Sequence, residues 1–279
     1  MAAAAMPAQA APMPGSSVKF YSSCADIHRH LVKAPDGDYL LYDNGNLFTV
    51  YCDDMSTMPR EYIDLTSTGP WANFSQYTAG GASPGKNVRT TFKKLRVNPD
   101  NLTVDIGDLT FASSTGSLKH SNSVQVTSMP YGVAMSCTKP QAANGVANID
   151  LRWTPFQVNS TFTVGGYLAK GSAVVTQNKQ LVNLTGGGYC GWNEPTGGPF
   201  NPYNPKPGLY DLKLTCASGS VTTAPGQICF RVDSLKGLTE RSGPGNVVDV
   251  LYHGKPVAVV HDGDQVRAPS VLSSAVAPL

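Results

Sequence analysis

Between residues 23 and 55 the spacing of apolar positions changes, and the change predicts two different elements. Ile27 and Leu31 fall four apart on one helical face, Ser23 can cap the run, Asp26 can reach back to that cap, and Pro35 stops it. A short helix is expected there. Two strand-like runs come next at 39–42 and 47–52, and Asp43-Asn44-Gly45-Asn46 between them supplies residues that tolerate positive φ, the signature of a hairpin. A bond from Cys24 to Cys52 would tie the helix to the second strand and stabilise the fold by about 3 kcal/mol, chiefly by restricting the unfolded chain.

Further strands are expected at 88–97, 102–111, 147–153, 173–177 and 180–184, the alternation of Leu102, Val104 and Ile106 marking a half-buried one. Residues 194–208 are dense in Pro, Gly and Asn, a composition that disfavours both helix and central strand and reads as a linker. Beyond it, runs at 209–216, 227–235, 247–252 and 256–261 suggest a small β unit with turns at His253-Gly254-Lys255 and Asp262-Gly263-Asp264. Tyr210, Leu212, Leu214 and Cys216 share one strand face while Ile228 and Phe230 flank Cys229, which favours a cross-strand bond from Cys216 to Cys229.

The expected organisation is a flexible N-terminus at 1–18, a main domain at 19–200, the small β unit at 201–268 and a disordered tail at 269–279. In the first segment Ala8-Gln9-Ala10 looks like the cleavage end of a trimmed leader. On this reading a cut between Pro199 and Pro207 releases two folded pieces.

The chain of 279 residues is long enough for a sizeable core. Only 14% of residues are charged, against about 25% in ordinary domains, and Glu occurs at positions 61, 194 and 240 alone, so helices should be few. With a net charge of +2 and no basic cluster interleaved with aromatics, nucleic acid is not an expected partner; Lys93, Lys94 and Arg96 read as a solvated strand face. Six cysteines at long, irregular spacings without Cys-x-x-Cys argue for three disulfides in a secreted protein, formally in any of about fifteen connectivities. No apolar run is long enough to span a membrane. Asn73, Asn101, Asn159 and Asn183 each open an N-glycosylation pattern.

Nothing reads as a catalytic centre. Gly81-Ala82-Ser83-Pro84-Gly85 has the spacing of a nucleophile elbow and Ser83 to Lys86 that of Ser-x-x-Lys, yet Pro84 and the surrounding glycines indicate a plain loop. Asp53 and Asp54, adjacent on a strand, face opposite ways, and His28 and His30, two apart on a helix, point about 200° apart, wrong for one metal. His-Glu-x-x-His is absent. Gly186-Gly187-Gly188 lacks the Lys and Ser or Thr of a phosphate loop, and neither Asp36-Gly37-Asp38 nor Asp43 to Asn46 has the spacing of a calcium loop.

The first segment, with its Cys-containing helix and Val50-Tyr51-Cys52-Asp53 strand, resembles the start of fibrinogen-related domains. The chain as a whole, from about residue 20 to about residue 200, is similar to the GON domain, the module that closes some ADAMTS-type secreted zinc metalloproteases. Pro59-Arg60-Glu61-Tyr62-Ile63-Asp64-Leu65, Thr91-Phe92-Lys93-Lys94-Leu95-Arg96-Val97, Leu109-Thr110-Phe111-Ala112, Ile149-Asp150-Leu151 and Gly188-Tyr189-Cys190-Gly191 keep the order of its motifs. Two cysteines of that pattern are replaced in this chain, one at Pro140 or Gln141 and one at Trp192. Their joint loss is what deletion of one disulfide would look like, and it leaves Cys137 and Cys190 as partners.

The resemblance implies a mostly β, disulfide-bonded, sandwich-like domain with one short N-terminal helix, acting outside the cell as a binding or adhesion module for an extracellular protein or polysaccharide. No catalytic or metal-ligating residue is assigned, and zinc or calcium would enter by family association only. The alternatives are an accessory part or divergent member of the secreted zinc metalloendopeptidases, and a carbohydrate-binding module using Trp71, Trp192 and Tyr203 as stacking rings.

Overall fold

The computed structural model describes residues 20–138, 142–197, 210–218, 223–224, 226–232, 238–243 and 247–261. The leader segment 1–18, the linker stretch 199–207 with Tyr203, the turn at 262–264 and the tail 269–279 lie outside them. The chain opens with α1 (Cys24–His30), β1 (Gly37–Asp43), β2 (Asn46–Asp53) and β3 (Arg60–Asp64). Then come β4 (Phe74–Thr78), β5 (Gly85–Phe92), β6 (Lys94–Asn98), β7 (Thr103–Asp105), β8 (Ala112–His120), β9 (Val124–Val126) and β10 (Ala134–Ser136). Next are β11 (Gly145–Asp150), β12 (Phe156–Val158), β13 (Phe162–Tyr167), β14 (Lys170–Thr176), β15 (Leu181–Gly187), β16 (Cys190–Pro195) and β17 (Tyr210–Cys216). β18 (Cys229–Arg231), β19 (Leu238–Gly243), β20 (Val247–Tyr252) and β21 (Lys255–His261) close it. The protein is mostly β and divides into two units, the described residues of Met1–Tyr62, Pro99–Asn101 and Thr223–Leu279, and those of Ile63–Asn98 and Leu102–Thr222.

In the first unit, Ser23 adopts an extended backbone and its hydroxyl accepts from the Asp26 amide at 3.0 Å, so the cap forms. Asp26 reaches back one residue further than its spacing suggested, accepting from the Ser22 amide at 3.3 Å. β1 and β2 pair from Gly37↔Cys52 to Asp43↔Asn46, and the two-residue loop has left-handed Asn44 (φ 45°) and Gly45 (φ 79°), the pair a type I′ turn demands. β2 carries β1 on one edge and both β3 and β18 on the other, and Leu47, Phe48, Thr49 and Val50 are buried in succession, as in a strand covered on both faces. Cys24 and Cys52 are bonded. Asp54 turns the chain with φ 58°, its carbonyl accepting from Thr57 and Met58. β19, β20 and β21 form an antiparallel meander whose second turn is His253-Gly254.

Beside the first hairpin turn, Asp43 Oδ2 is buried without a hydrogen-bond partner. Burial first, and the Asp100 carboxylate second, push the Asp43 carboxyl up to about 6, against a lowering bond from the Asn44 amide. A raised folded-state value means that the native chain holds the proton more tightly than the unfolded chain does. The Asp43 contribution is therefore most favourable below about pH 4 and is lost as pH rises through about 6. Asp43→Asn is expected to remove that slope from denaturant midpoints measured between pH 4 and 7; an unchanged slope would refute the assignment.

In the second unit, β4 is the branch point. On one edge it pairs in parallel with β10 through Gln76–Thr78 positions and antiparallel with β11 through Phe74 and Ser75; on the other it takes β5, then β8 and β9. β10 continues to β16 and β13, and β11 to β15 and β14. A second run orders β6, β7, β17 and β12 side by side. Beneath β4 sits Asn73, fully buried with φ 50°. Its Nδ2 donates to the Ser67 and Asp150 carbonyls (2.8 and 2.7 Å) and its Oδ1 accepts from the Asp150 amide and the Tyr131 hydroxyl (2.8 and 2.5 Å). This sequon asparagine is thus a core residue, whereas Asn101, Asn159 and Asn183 are exposed.

Two expected strand boundaries differ. The run at 88–97 breaks at Lys93, because burial falls on Val88, Thr90 and Phe92 before it and on Leu95 and Val97 after it; the alternation changes phase and the two halves join different sheet neighbours. The strand expected at 102–111 stops at Asp105, whose carboxylate and carbonyl accept from Gly107 and Asp108 and fold the chain into a turn. Beyond the Pro-rich segment, β17 inserts between β7 and β12, and β18 joins β2, so residues 201–268 contribute strands to sheets begun earlier in the chain. Protease nicking between Pro199 and Pro207 is accordingly expected to leave both fragments eluting together in native size exclusion, since extracting β17 would expose the edges of β7 and β12. Separate elution would show the C-terminal piece to be independent.

Candidate functional site

Among the described residues exposed aromatics occupy three places, the last being Trp153, 52% exposed just before β12. Trp71, in the turn before β4, is 78% exposed, and the Arg89 guanidinium lies 4.9 Å from its ring centroid and 4.0 Å from that of Phe74. Arg89 is fixed there by bonds to Gln76 Oε1 (2.9 Å) and the Pro70 carbonyl (2.6 Å). The second place is the end of the β13 and β16 pair. Tyr167 lies opposite Cys190, and Tyr167 and Tyr189 meet edge to face with centroids 5.5 Å apart. Leu168 in the adjoining turn is exposed, as are Val164 on β13 and Val174 and Val175 on β14.

Trp192 is different from these. It faces β13 where Gly165 and Gly166 stand, and a Cβ on either glycine would come within 2.9 or 2.6 Å of the indole, so the ring lies on the strand, half-buried. Its Nε1 is buried without a hydrogen-bond partner. Of the three aromatics proposed from sequence, Trp71 is therefore displayed, Trp192 is packed, and Tyr203 falls outside the described residues.

A buried polar cluster lies under the disulfide of the second unit. Cys137, just beyond β10, is bonded to Cys190 at the start of β16. The Tyr77 hydroxyl stands 3.0 Å from Cys137 Sγ, 2.6 Å from Ser83 Oγ and 2.8 Å from His120 Nδ1. Tyr77 and Ser83 are fully buried, so the Ser83 hydroxyl is closed to a substrate, while Lys86 is exposed on β5. Burial lowers the His120 pKa below the ordinary histidine value, which favours the neutral ring.

His120, Cys137 and Cys190 are the one group of potential metal ligands within 4.8 Å among the described residues, and both sulfurs are tied up in the disulfide. His30 Nδ1 instead meets the Asp26 carbonyl at 2.9 Å. Cys216 and Cys229 are also oxidised, and no cysteine among the described residues is free.

Sequence reasoning missed the Tyr77 and His120 pairing, which joins residues 43 apart across β4, β5 and β8. It also missed the Tyr167 and Tyr189 end, although two tyrosines beside glycine-rich turns were there to be seen. Of the basic patch, Lys93 is exposed, Lys94 pairs with Asp64, and Arg96 lies 3.6 and 3.7 Å from Asp105 and Asp108.

These features define a disulfide-stapled, mostly β domain. The family model of the GON domain matches residues 21–84 and 81–198, well over half of the chain, and the protein belongs to that family. It is similar to "A disintegrin and metalloproteinase with thrombospondin motifs gon-1" of Caenorhabditis elegans, 28% identical over 157 residues, which cover 47% of this chain and 7% of that relative. No solved structure matches. Among the described residues no helix is long and apolar enough to cross a membrane.

Proposed function

We propose that this GON domain is a non-catalytic extracellular recognition module that grips a protein or polymer partner through the aromatic end formed by Tyr167, Leu168 and Tyr189. The observation that carries this reading is the solvent exposure of these side chains, 65%, 50% and 44%, at the ends of β13 and β16, which backbone pairing and the Cys137–Cys190 bond hold in place. Rigid aromatics lose little conformational entropy on docking and tend to dominate contact energies. Oxidised cysteines fit an extracellular setting, and the name of the C. elegans relative suggests a place beside a metalloproteinase.

The test is binding of the purified chain to immobilised extracellular-matrix proteins and glycans, by biolayer interferometry. Tyr167→Ala with Tyr189→Ala is expected to weaken any binding at least about tenfold while leaving the thermal melt within a few degrees. Undiminished binding by the double variant would rule this end out. Trp71 supports a second reading, carbohydrate stacking, because its ring is displayed and oriented by Arg89. Loss of glycan binding in Trp71→Ala alone would select it.

A further inference from the structure

The geometry points to Cys137–Cys190 as a thiol-exchange site for small extracellular thiols, with Cys190 the sulfur attacked and Cys137 the sulfur that leaves. The bond is asymmetric. Cys137 is 2% exposed and sits over the Tyr77 hydroxyl, whereas Cys190 is half-buried at the start of β16, next to the exposed Tyr189. An incoming thiolate therefore meets Cys190 first, and the electron pair released by S–S cleavage falls on the sulfur that already has a hydrogen-bond donor beside it.

That donor is connected to solvent. Tyr77 bonds His120 Nδ1 at 2.8 Å, and His120 Nε2 lies 3.3 Å from the exposed Ser121 hydroxyl, so a proton has a route from the surface to the buried Cys137 sulfur. Ser83, at 2.6 Å, holds the phenol in place from its other side. The leaving ability of a thiolate rises as its pKa falls, and a hydrogen bond to the developing anion lowers that pKa. Buried sulfur without such a donor would instead leave poorly.

The exchange takes two displacements. A thiolate of glutathione attacks Cys190 Sγ, forming a Cys190–glutathione mixed disulfide as the Cys137–Cys190 bond breaks, and Cys137 takes up one proton through Tyr77 and His120. A second glutathione thiolate attacks the glutathione sulfur, giving oxidised glutathione and the Cys190 thiolate, which is protonated from water. One protein disulfide is reduced and two thiols are oxidised. The Cys24–Cys52 bond has no exposed sulfur, both residues being 0% exposed.

The experiment uses the full oxidised chain in reduced glutathione at neutral pH, quenched at intervals with an alkylating agent and mapped by peptide mass. Glutathione is expected on Cys190 and the alkyl group on Cys137, while Cys24 and Cys52 stay unmodified. Tyr77→Phe is expected to slow the reaction at least about tenfold, the rate equivalent of one lost bond to a developing charge. His120→Gln, on the solvent side of the relay, should slow it too and serves where Tyr77→Phe does not fold. Labelling of Cys24 or Cys52 before Cys137, glutathione on Cys137 instead of Cys190, or wild-type rates in the folded variants would each overturn the assignment.

Discussion

Asn73→Ala is expected to destabilise the protein by at least about 4 kcal/mol, lowering the melting temperature by roughly 10 °C or more. Alanine would leave the Asp150 carbonyl and amide and the Tyr131 hydroxyl without the partners they now have in Asn73, in a buried place, and would free the part-buried Ser67 carbonyl as well. Each buried polar group so orphaned costs about 1–3 kcal/mol. Tyr131 cannot escape by ionising: burial, and then the Asp150 charge, hold its hydroxyl well above the ordinary tyrosine range. The left-handed backbone adds a second cost, since φ 50° suits Asn and strains Ala by about 1–2 kcal/mol.

Comparison with Asn73→Gly separates the two contributions. Glycine relieves the backbone strain but restores no hydrogen bond, so it should recover only the strain component in urea unfolding. If Asn73→Ala shifts the urea midpoint by less than about 1 kcal/mol equivalent, the network is not the keystone of the β4 and β11 junction that its geometry implies.

Local chemistry made the beginning of the chain legible. A capping serine, an Asn-Gly turn and two apolar runs are each decided within a few residues, and α1, β1 and β2 form where they stand. The interior was less so. β8 runs through Ala112–His120 with Leu118 as its one buried side chain, so no apolar alternation announces it; its existence depends on pairing with β5 and β9. A strand of that kind is made by its neighbours, and single-sequence patterning carries little of that information. β14, expected at 173–177, does form at Lys170–Thr176, although it is exposed at every position and held by β15 on one edge.

The phase change at Lys93 was present in the sequence, since Phe92 and Leu95 cannot lie on one face of a continuous strand. The insertion of β17 between β7 and β12 was not, because pairing partners so far apart in the chain leave no local trace. The same distinction holds for the site. The cysteines, Trp71 and Trp192 stood out by residue type, but whether an indole is displayed or laid on two glycines is settled by the strand opposite, as Gly165 and Gly166 show for Trp192.

Replacing Cys24 and Cys52 together by Ala is expected to cost about 3–4 kcal/mol, most of it through the unfolded chain. The bond closes a loop of sequence separation 28, which by loop entropy alone accounts for about 3.6 kcal/mol. Locally, α1 has seven residues, too few to be stable in water without tertiary support. Its remaining anchors in the first unit include Ile27, buried at 1%, and the bond from the Cys24 amide to Glu61 Oε1 at 2.6 Å. The variant should therefore show two signatures at once: a lower urea midpoint, and faster amide exchange at Ile27 and Leu31, whose N–H groups close the helix onto Ser23 and Ile27. β1 and β2 should keep their protection, because their register is fixed by the turn and by β2's neighbours on both edges. Equal loss of protection in helix and hairpin would mean that the disulfide holds the whole unit together rather than docking α1 onto a hairpin that stands without it.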